Sequence, residues 1–311
     1  MEKKKKIAIG VIIAALVVGW FLFKPAPAEA IEINPYGSLN YRLGNDEDST
    51  GKSVMKAEDN GSSIGVEFRD ELTDGYEGFA KIEVGVDTDD SGSNPFDSKL
   101  AYAGIDMEDN GVLSAGRQDS VFKTNVTSIT DIFPEYGGKA AQKLSSRDSH
   151  TFQYSNSFGA LTVDNQVKVD GSTGKDGIDV WETGATMDLA GGKVGVGYSD
   201  DKVNLVQHYG AGITMELSDE TSVGYNYTKK DYEAASSTDV QAHEVVLSHS
   251  MDDTTLMLGY GEVKDGTAYT TAGVTHEVTE NFSMYAGYEF ADKTGSQIDT
   301  TGMSAGLKFK F

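Results

Sequence analysis

Five histidines, at positions 150, 208, 243, 249 and 276, and 49 acidic residues are the groups in this 311-residue chain with the chemistry to hold a metal or pass a proton. There is no cysteine, which excludes disulfides and thiolate sites. The stretch "DTDDSGSNPFDS", from Asp87, opens like a calcium loop, with Asp89 third and Gly92 sixth. Ser91 replaces the usual Asp or Asn, however, and Ser98 stands where the bidentate Glu belongs. It reads as an acidic surface loop, and Asp46, Glu47 and Asp48 offer only loose divalent contacts of the same kind. In "LSHS", Ser248 and His249 are adjacent and so point to opposite faces of a strand. No G-x-S-x-G occurs. "GVGYSD" and "GYGEVKDG" lack the third glycine and the following helix of a phosphate loop. Neither enzymatic activity nor a metal or cofactor is expected. The net charge of −23 argues against nucleic acid and fits attraction of cations, or solubility.

One stretch lies outside these motifs. "ITDIFPEYGGKA", residues 129–140, sits in a run from Ser120 to Ser146 with no strand or helix period. Irregular segments of that length are commonly functional or disordered. Pro134, Gly137 and Gly138 supply its turn, since glycine tolerates positive φ. Nearly everything around it alternates. In "TTGMSAGLKFKF", Met303, Ala305, Leu307, Phe309 and Phe311 share one face, and Ser304, Gly306, Lys308 and Lys310 the other. Phe282, Met284, Ala286, Tyr288 and Phe290 repeat the pattern, as do Ile64, Val66 and Phe68. Turn signals such as "DG" at 74–75 and "AGG" at 190–192 separate such segments.

About 16 segments of roughly nine to thirteen residues fit into 33–311, longer than globular strands and matched to a tilted membrane crossing. Pro35, Pro95 and Pro134 all avoid strand interiors. Aromatics end the apolar face, as in the girdles of membrane barrels. The other face is Ser, Thr, Gly, Asn, Glu and Lys, which suits water rather than a dry core. A barrel of that strand number leaves an aqueous channel. Parity points Arg42, Arg69, Lys81 and Arg147 inward, with Glu67, Glu77 and Glu83. Arg117 shares parity with Leu113 and Ala115 and needs a bulge near Gly116 to turn inward.

The first 30 residues are different. Lys3–Lys6 is a basic start, Ile7–Phe23 an apolar run, and "KPAPAEA" ends in Ala28 and Ala30. This is the grammar of a signal peptide cleaved after Ala30; the rival is a retained anchor. No other apolar run of spanning length follows, so an exported chain is either a soluble β-sandwich or a closed barrel across a membrane.

Several stretches resemble the general diffusion porins of the Gram-negative outer membrane: "NPYGSLNYRLG", "SSIGVEFRDELTDGYEGFAKIEVGVD", "SKLAYAGID" with "GVLSAGRQDS", "ITDIFPEYGG", "FQYSNSFGALTV" and the terminal phenylalanine. The resemblance is good over 33–170, looser over 171–300, and returns at the end. It implies an all-β transmembrane antiparallel barrel over 31–311, with about 16 strands and a constriction loop, about 120–146, folded into the bore. It implies that Asp131 and Glu135 are acidic groups of that loop facing basic positions at Arg117 and Arg147, and that Phe311 serves as the C-terminal assembly signal. Two further basic positions of the family fall on Ser38 and Ser63, which weakens the basic wall. Arg42, about 13 Å along the strand from Ser38, restores positive charge at another height. The expected function is a porin for passive diffusion of small hydrophilic solutes and ions, cation-preferring, in the outer membrane. The resemblance implies a homotrimer, in contact with outer-membrane lipid and lipopolysaccharide. The alternatives are a barrel acting mainly as adhesin or anchor, and a substrate-specific channel.

Overall fold

The computed structural model describes residues 31–73, 75–89, 94–172, 177–233, 237–295 and 297–311. The expected signal peptide, Asp74 of the "DG" turn and residues 90–93 of the acidic loop lie outside them. Seventeen strands follow in order: β1 Glu32–Glu47, β2 Ser53–Asp59, β3 Ser63–Thr73, β4 Tyr76–Val86, β5 Phe96–Asp106 and β6 Val112–Asp119. After the long irregular segment come β7 Arg147–Phe158, β8 Leu161–Lys168, β9 Val180–Leu189, β10 Gly192–Asp201, β11 Val206–Ser218 and β12 Thr221–Tyr232. The last are β13 Val240–Met251, β14 Thr254–Val263, β15 Ala268–Thr279, β16 Phe282–Asp292 and β17 Thr300–Lys310.

Apart from β2 and β3, each strand pairs antiparallel with its chain neighbours, and β17 returns to β1, with Ser38 opposite Lys310. The upper part of β1 pairs with β2 and its lower part with β3, so β2 and β3 are two halves of one wall strand. The sheet is therefore a closed antiparallel barrel of 16 strands. Phe311 adds the last rung: its N–H and carbonyl exchange hydrogen bonds with Gly37 at 3.1 and 2.9 Å. Connections at one end are two residues long, as at 159–160 and 190–191, except for 107–111 between β5 and β6, and those at the other end run to four or more. Gly191, at φ +76°, takes the left-handed conformation that the first type of turn demands.

The alternation sorts as the sequence predicts. Leu39, Tyr41, Leu43, Leu256, Leu258, Met284, Tyr288, Met303 and Leu307 are exposed on the outer face. Asn40, Asn226, Thr228, Glu244, Tyr285, Glu289 and Ser304 are buried on the inner one. Burial here is not a dry core: it is produced by the segment between β6 and β7, which lies inside the barrel. The chain crosses the membrane with strands, and no helix among the described residues is long and apolar enough to do so.

Candidate functional site

The inserted segment begins with α1, Val121–Asn125, capped by the Ser120 hydroxyl, which accepts from the Lys123 N–H at 3.1 Å. Its two roots are tied together by the Ser120 N–H donating to Ser146 O at 3.2 Å. Val121, Phe122 and Val126 are fully buried, and Ile129 nearly so. What buries them is a row of inward-facing glycines. A Cβ on Gly210 would lie 2.6 Å from Val126 Cγ1, on Gly212 2.6 Å from Ile129 Cδ1, on Gly259 2.8 Å from Phe133 Cζ, and on Gly302 2.9 Å from Tyr136 Cε1. The loop thus runs along the wall from β9 to β17, with Phe122, Val126, Ile129, Phe133 and Tyr136 seated over wall glycines.

Carboxylates of that wall then accept the loop's polar groups. Glu182 takes the Phe122 N–H at 3.1 Å. Glu244 takes the Thr130 hydroxyl at 2.8 Å and the Ala140 N–H at 2.9 Å. Glu289 takes the Gly137 N–H at 3.3 Å and pairs with Lys139. Buried donors need such partners, because leaving one unmade costs about 1–3 kcal/mol. None of these three glutamates is among the sequence-expected site residues. The inward glycines of β10–β16 were the legible signal, since side chains left off a wall mark where something else lies against it.

At the tip, Glu135 Oε1 lies 3.3 Å from Arg42 of β1. Arg42 also pairs with Asp46 at 2.9 Å and with Glu58, and its guanidinium sits 5.9 Å from the Tyr136 ring centre. The Tyr136 hydroxyl donates to Asp46 at 2.6 Å. Burial pushes the Glu135 carboxyl above its ordinary value, and the charge of Arg42 opposes that shift. Burial and the bond to Asp46 hold the Tyr136 phenol far above its own. Pro134 O accepts from Asn60, which fills the break between β2 and β3, at 3.1 Å. Gly137 and Gly138 turn at φ +72° and +63°. Asp131 is exposed and, among the described residues, enters no ion pair.

Arg117 and Arg147 lie elsewhere. A bulge does form beside Gly116, but its extra residue is on β7, between Asp148 and Thr151, where His150 adopts φ +59°. Ser114 and Gln118 therefore stay inward, hydrogen bonded at 2.6 Å, and Arg117 keeps the parity of Ala115. It donates to Ser98 O at 3.1 Å and Ser149 Oγ at 3.0 Å. The same bulge resets β7, so Asp148 rather than Arg147 is buried inward. Arg147 lies 3.5 Å from Asp119, which also holds Lys123 of α1 at 2.8 Å. Both arginines sit at the roots of the loop, not opposite its tip. An uninterrupted period of two had placed Arg147 inward, and one unforeseen residue undid it.

Away from the tip contact at Arg42, the wall the loop leaves bare, the lower part of β1 and β3–β6, is charged. Arg69 pairs with Glu67 at 2.6 Å and with Glu77; Lys81 lies 3.7 Å from Glu67. Glu83 accepts the Tyr36 hydroxyl at 3.0 Å.

The family model described as Gram-negative porin matches residues 14–296. The protein "Putative outer membrane porin protein NmpC" of Escherichia coli (strain K12) is 23% identical over 310 residues, 93% of this chain and 78% of that one. An anion-selective porin from Comamonas acidovorans has the same fold, with a TM-score of 0.79 at 14% identity over 91% of this chain and all of that one. OmpT of Vibrio cholerae, in a trimer form, gives 0.72 at 16% identity over 91% of this chain and all of that one.

Proposed function

The chain belongs to the Gram-negative porin family and resides in the outer membrane, and from that premise we propose that it is a diffusion channel for small hydrophilic solutes and ions whose bore is narrowed by residues 120–146. The observation that carries the reading is the loop's course: it fills one side of the bore and brings Glu135 to Arg42, leaving a polar, charged wall facing it. Water and solutes pass between the loop and that wall. A space of this kind, lined by fixed charges of both signs, favours solutes that exchange hydration for hydrogen bonds.

The same groups support a cation preference. Arg42 at the loop tip, and Arg69 and Lys81 on the bare wall, lie among six carboxylates, Asp46, Glu58, Glu67, Glu77, Glu83 and Glu135. Asp131 at the loop surface adds a further negative charge. An anion-selective relative shares the fold, so the sign rests on this chain's own side chains. Assembly as a homotrimer is supported by the trimeric relative. Arg117 and Arg147 act as loop-root anchors in this reading, and Phe311 closes the seam. Planar-bilayer recording under a potassium chloride gradient tests it: an open channel with a cation-selective reversal potential is expected. Absence of conductance overturns the channel, and an anion-selective potential overturns the preference.

A further inference from the structure

Below the loop tip the bare wall holds a recess of about 270 Å³, open to the bore and lined by residues of β3–β7, among them Glu67, Arg69, Phe79, Lys81, Tyr102 and Asp106. Two features separate it from the rest of the bore. The first is aromatic. Phe79 faces inward with no loop residue over it, against inward Gly104, where a Cβ would lie 2.9 Å from Phe79 Cε1. Tyr36 lies on Gly65 in the same way, its Cε1 2.7 Å from the corresponding position. Glycine beneath each ring lets it rest on the sheet instead of standing in the water. Tyr102 meets Phe79 edge-on, centroids 6.2 Å apart. Lys81 covers the Tyr36 ring, its Nζ 4.9 Å from the ring centre, whereas the half-buried Phe79 ring presents apolar surface to an aqueous passage.

The second feature is charge. Both cations of the lining, Arg69 and Lys81, already have carboxylate partners in Glu67 and Glu77. Arg69 and Glu67 are already joined through Nε at 2.7 Å, so a charged solute gains little there. Their planar groups, with the Gln153 amide, still offer hydrogen bonds around an apolar platform. A flat C–H face bordered by hydroxyls has that chemistry.

We propose that this recess is a subsite for one uncharged ring sugar, its C–H face stacked on Phe79, the Tyr102 ring walling its edge, and its hydroxyls bonded by Glu67, Arg69 and Gln153. The proposal rests on the channel reading for its access route, and the test separates the two. The full-length barrel is recorded in a planar bilayer with glucose, and with sorbitol as an acyclic polyol of matched size; glucose binding to the detergent-solubilised barrel is measured by calorimetry. Saturable, glucose-dependent current noise is expected, with sorbitol weaker by about tenfold because it has no flat face. Phe79→Leu, which keeps apolar bulk over Gly104, weakens glucose by about the same factor and leaves ion conductance intact. Phe79→Tyr restores it, and Gln153→Ala lowers it independently. Normal conductance with no glucose effect in either assay overturns the subsite alone. Equal responses to glucose and sorbitol overturn the stacking. No conductance, with calorimetric binding that Phe79→Leu weakens, overturns the channel and upholds the subsite.

Discussion

The two halves of the bore are built from the same alternating strands and use their inward positions in opposite ways. From β9 to β17 those positions carry glycine where the loop's apolar side chains arrive and glutamate where its polar groups do. From β3 to β6 they carry Arg69, Lys81, Tyr102 and carboxylates, with water as the expected neighbour. One half is a bed for a buried segment, governed by packing and hydrogen-bond satisfaction. The other is a solvated surface, governed by charge. The same substitution should therefore have different consequences on the two sides.

The hardest test of this contrast is Glu244→Ala. It strips acceptors from the Thr130 hydroxyl and the Ala140 N–H in a buried position, a loss of about 2–5 kcal/mol in loop docking. Limited trypsin digestion should then cut at Lys139 or Lys143, and the channel should become noisier. If the variant loop stays protected, the bed does not hold the loop. Next comes a matched pair. Gly210→Ala drives a methyl into Val126 and Phe122, costing about 1–3 kcal/mol and raising loop mobility. Gly65→Ala displaces only the Tyr36 ring, which has the bore to move into, so conductance noise should stay at the wild-type level. Equal behaviour of the two would erase the distinction between the halves.

On the solvated side the effects are electrostatic and smaller. Arg42→Gln removes the cation that three carboxylates share, and the cation-to-anion permeability ratio should rise about two- to threefold. A reversal potential that does not move would place the selectivity elsewhere. The smallest effect is that of pH. Glu135 binds its proton more readily in the folded loop than in an unfolded chain, so acidification through its titration adds docking stability while removing negative charge opposite Arg42. Cation preference should thus weaken at a pH above the range of ordinary glutamates, with no rise in loop mobility. Glu135→Gln should abolish that early step, as read by reversal potentials at stepped pH.

Much of this was legible in the residues. The outward row Met303, Leu307 and Phe309 and the inward row Ser304, Gly306 and Lys308 stand as period two required. The irregular stretch with Pro134, Gly137 and Gly138 is the segment that leaves the wall. Two physical circumstances hid the rest. A bulge changes parity without changing residue type, so Arg147 could be placed only with the register in hand, whereas Arg117 keeps the parity of Ala115. A glutamate that bonds a loop amide looks the same in sequence as one that bonds water, so Glu182, Glu244 and Glu289 could not be told from Glu67 or Glu83. The inward glycines of β10 and β11 were visible, yet a strand with an empty face reads as weak until something is found lying on it.

The seam between β1 and β17 carries a consequence for biogenesis. It joins stretches from opposite ends of the described chain, so its rungs are among the most remote contacts the polypeptide makes. Before they form, any inserted ribbon has two raw backbone margins in hydrocarbon, where no solvent can quench them. Sealing is then all-or-nothing: a chain halted before residue 300 would be a sticky intermediate rather than a narrower pore, destined for catalysed completion, for fusion with its own kind, or for destruction.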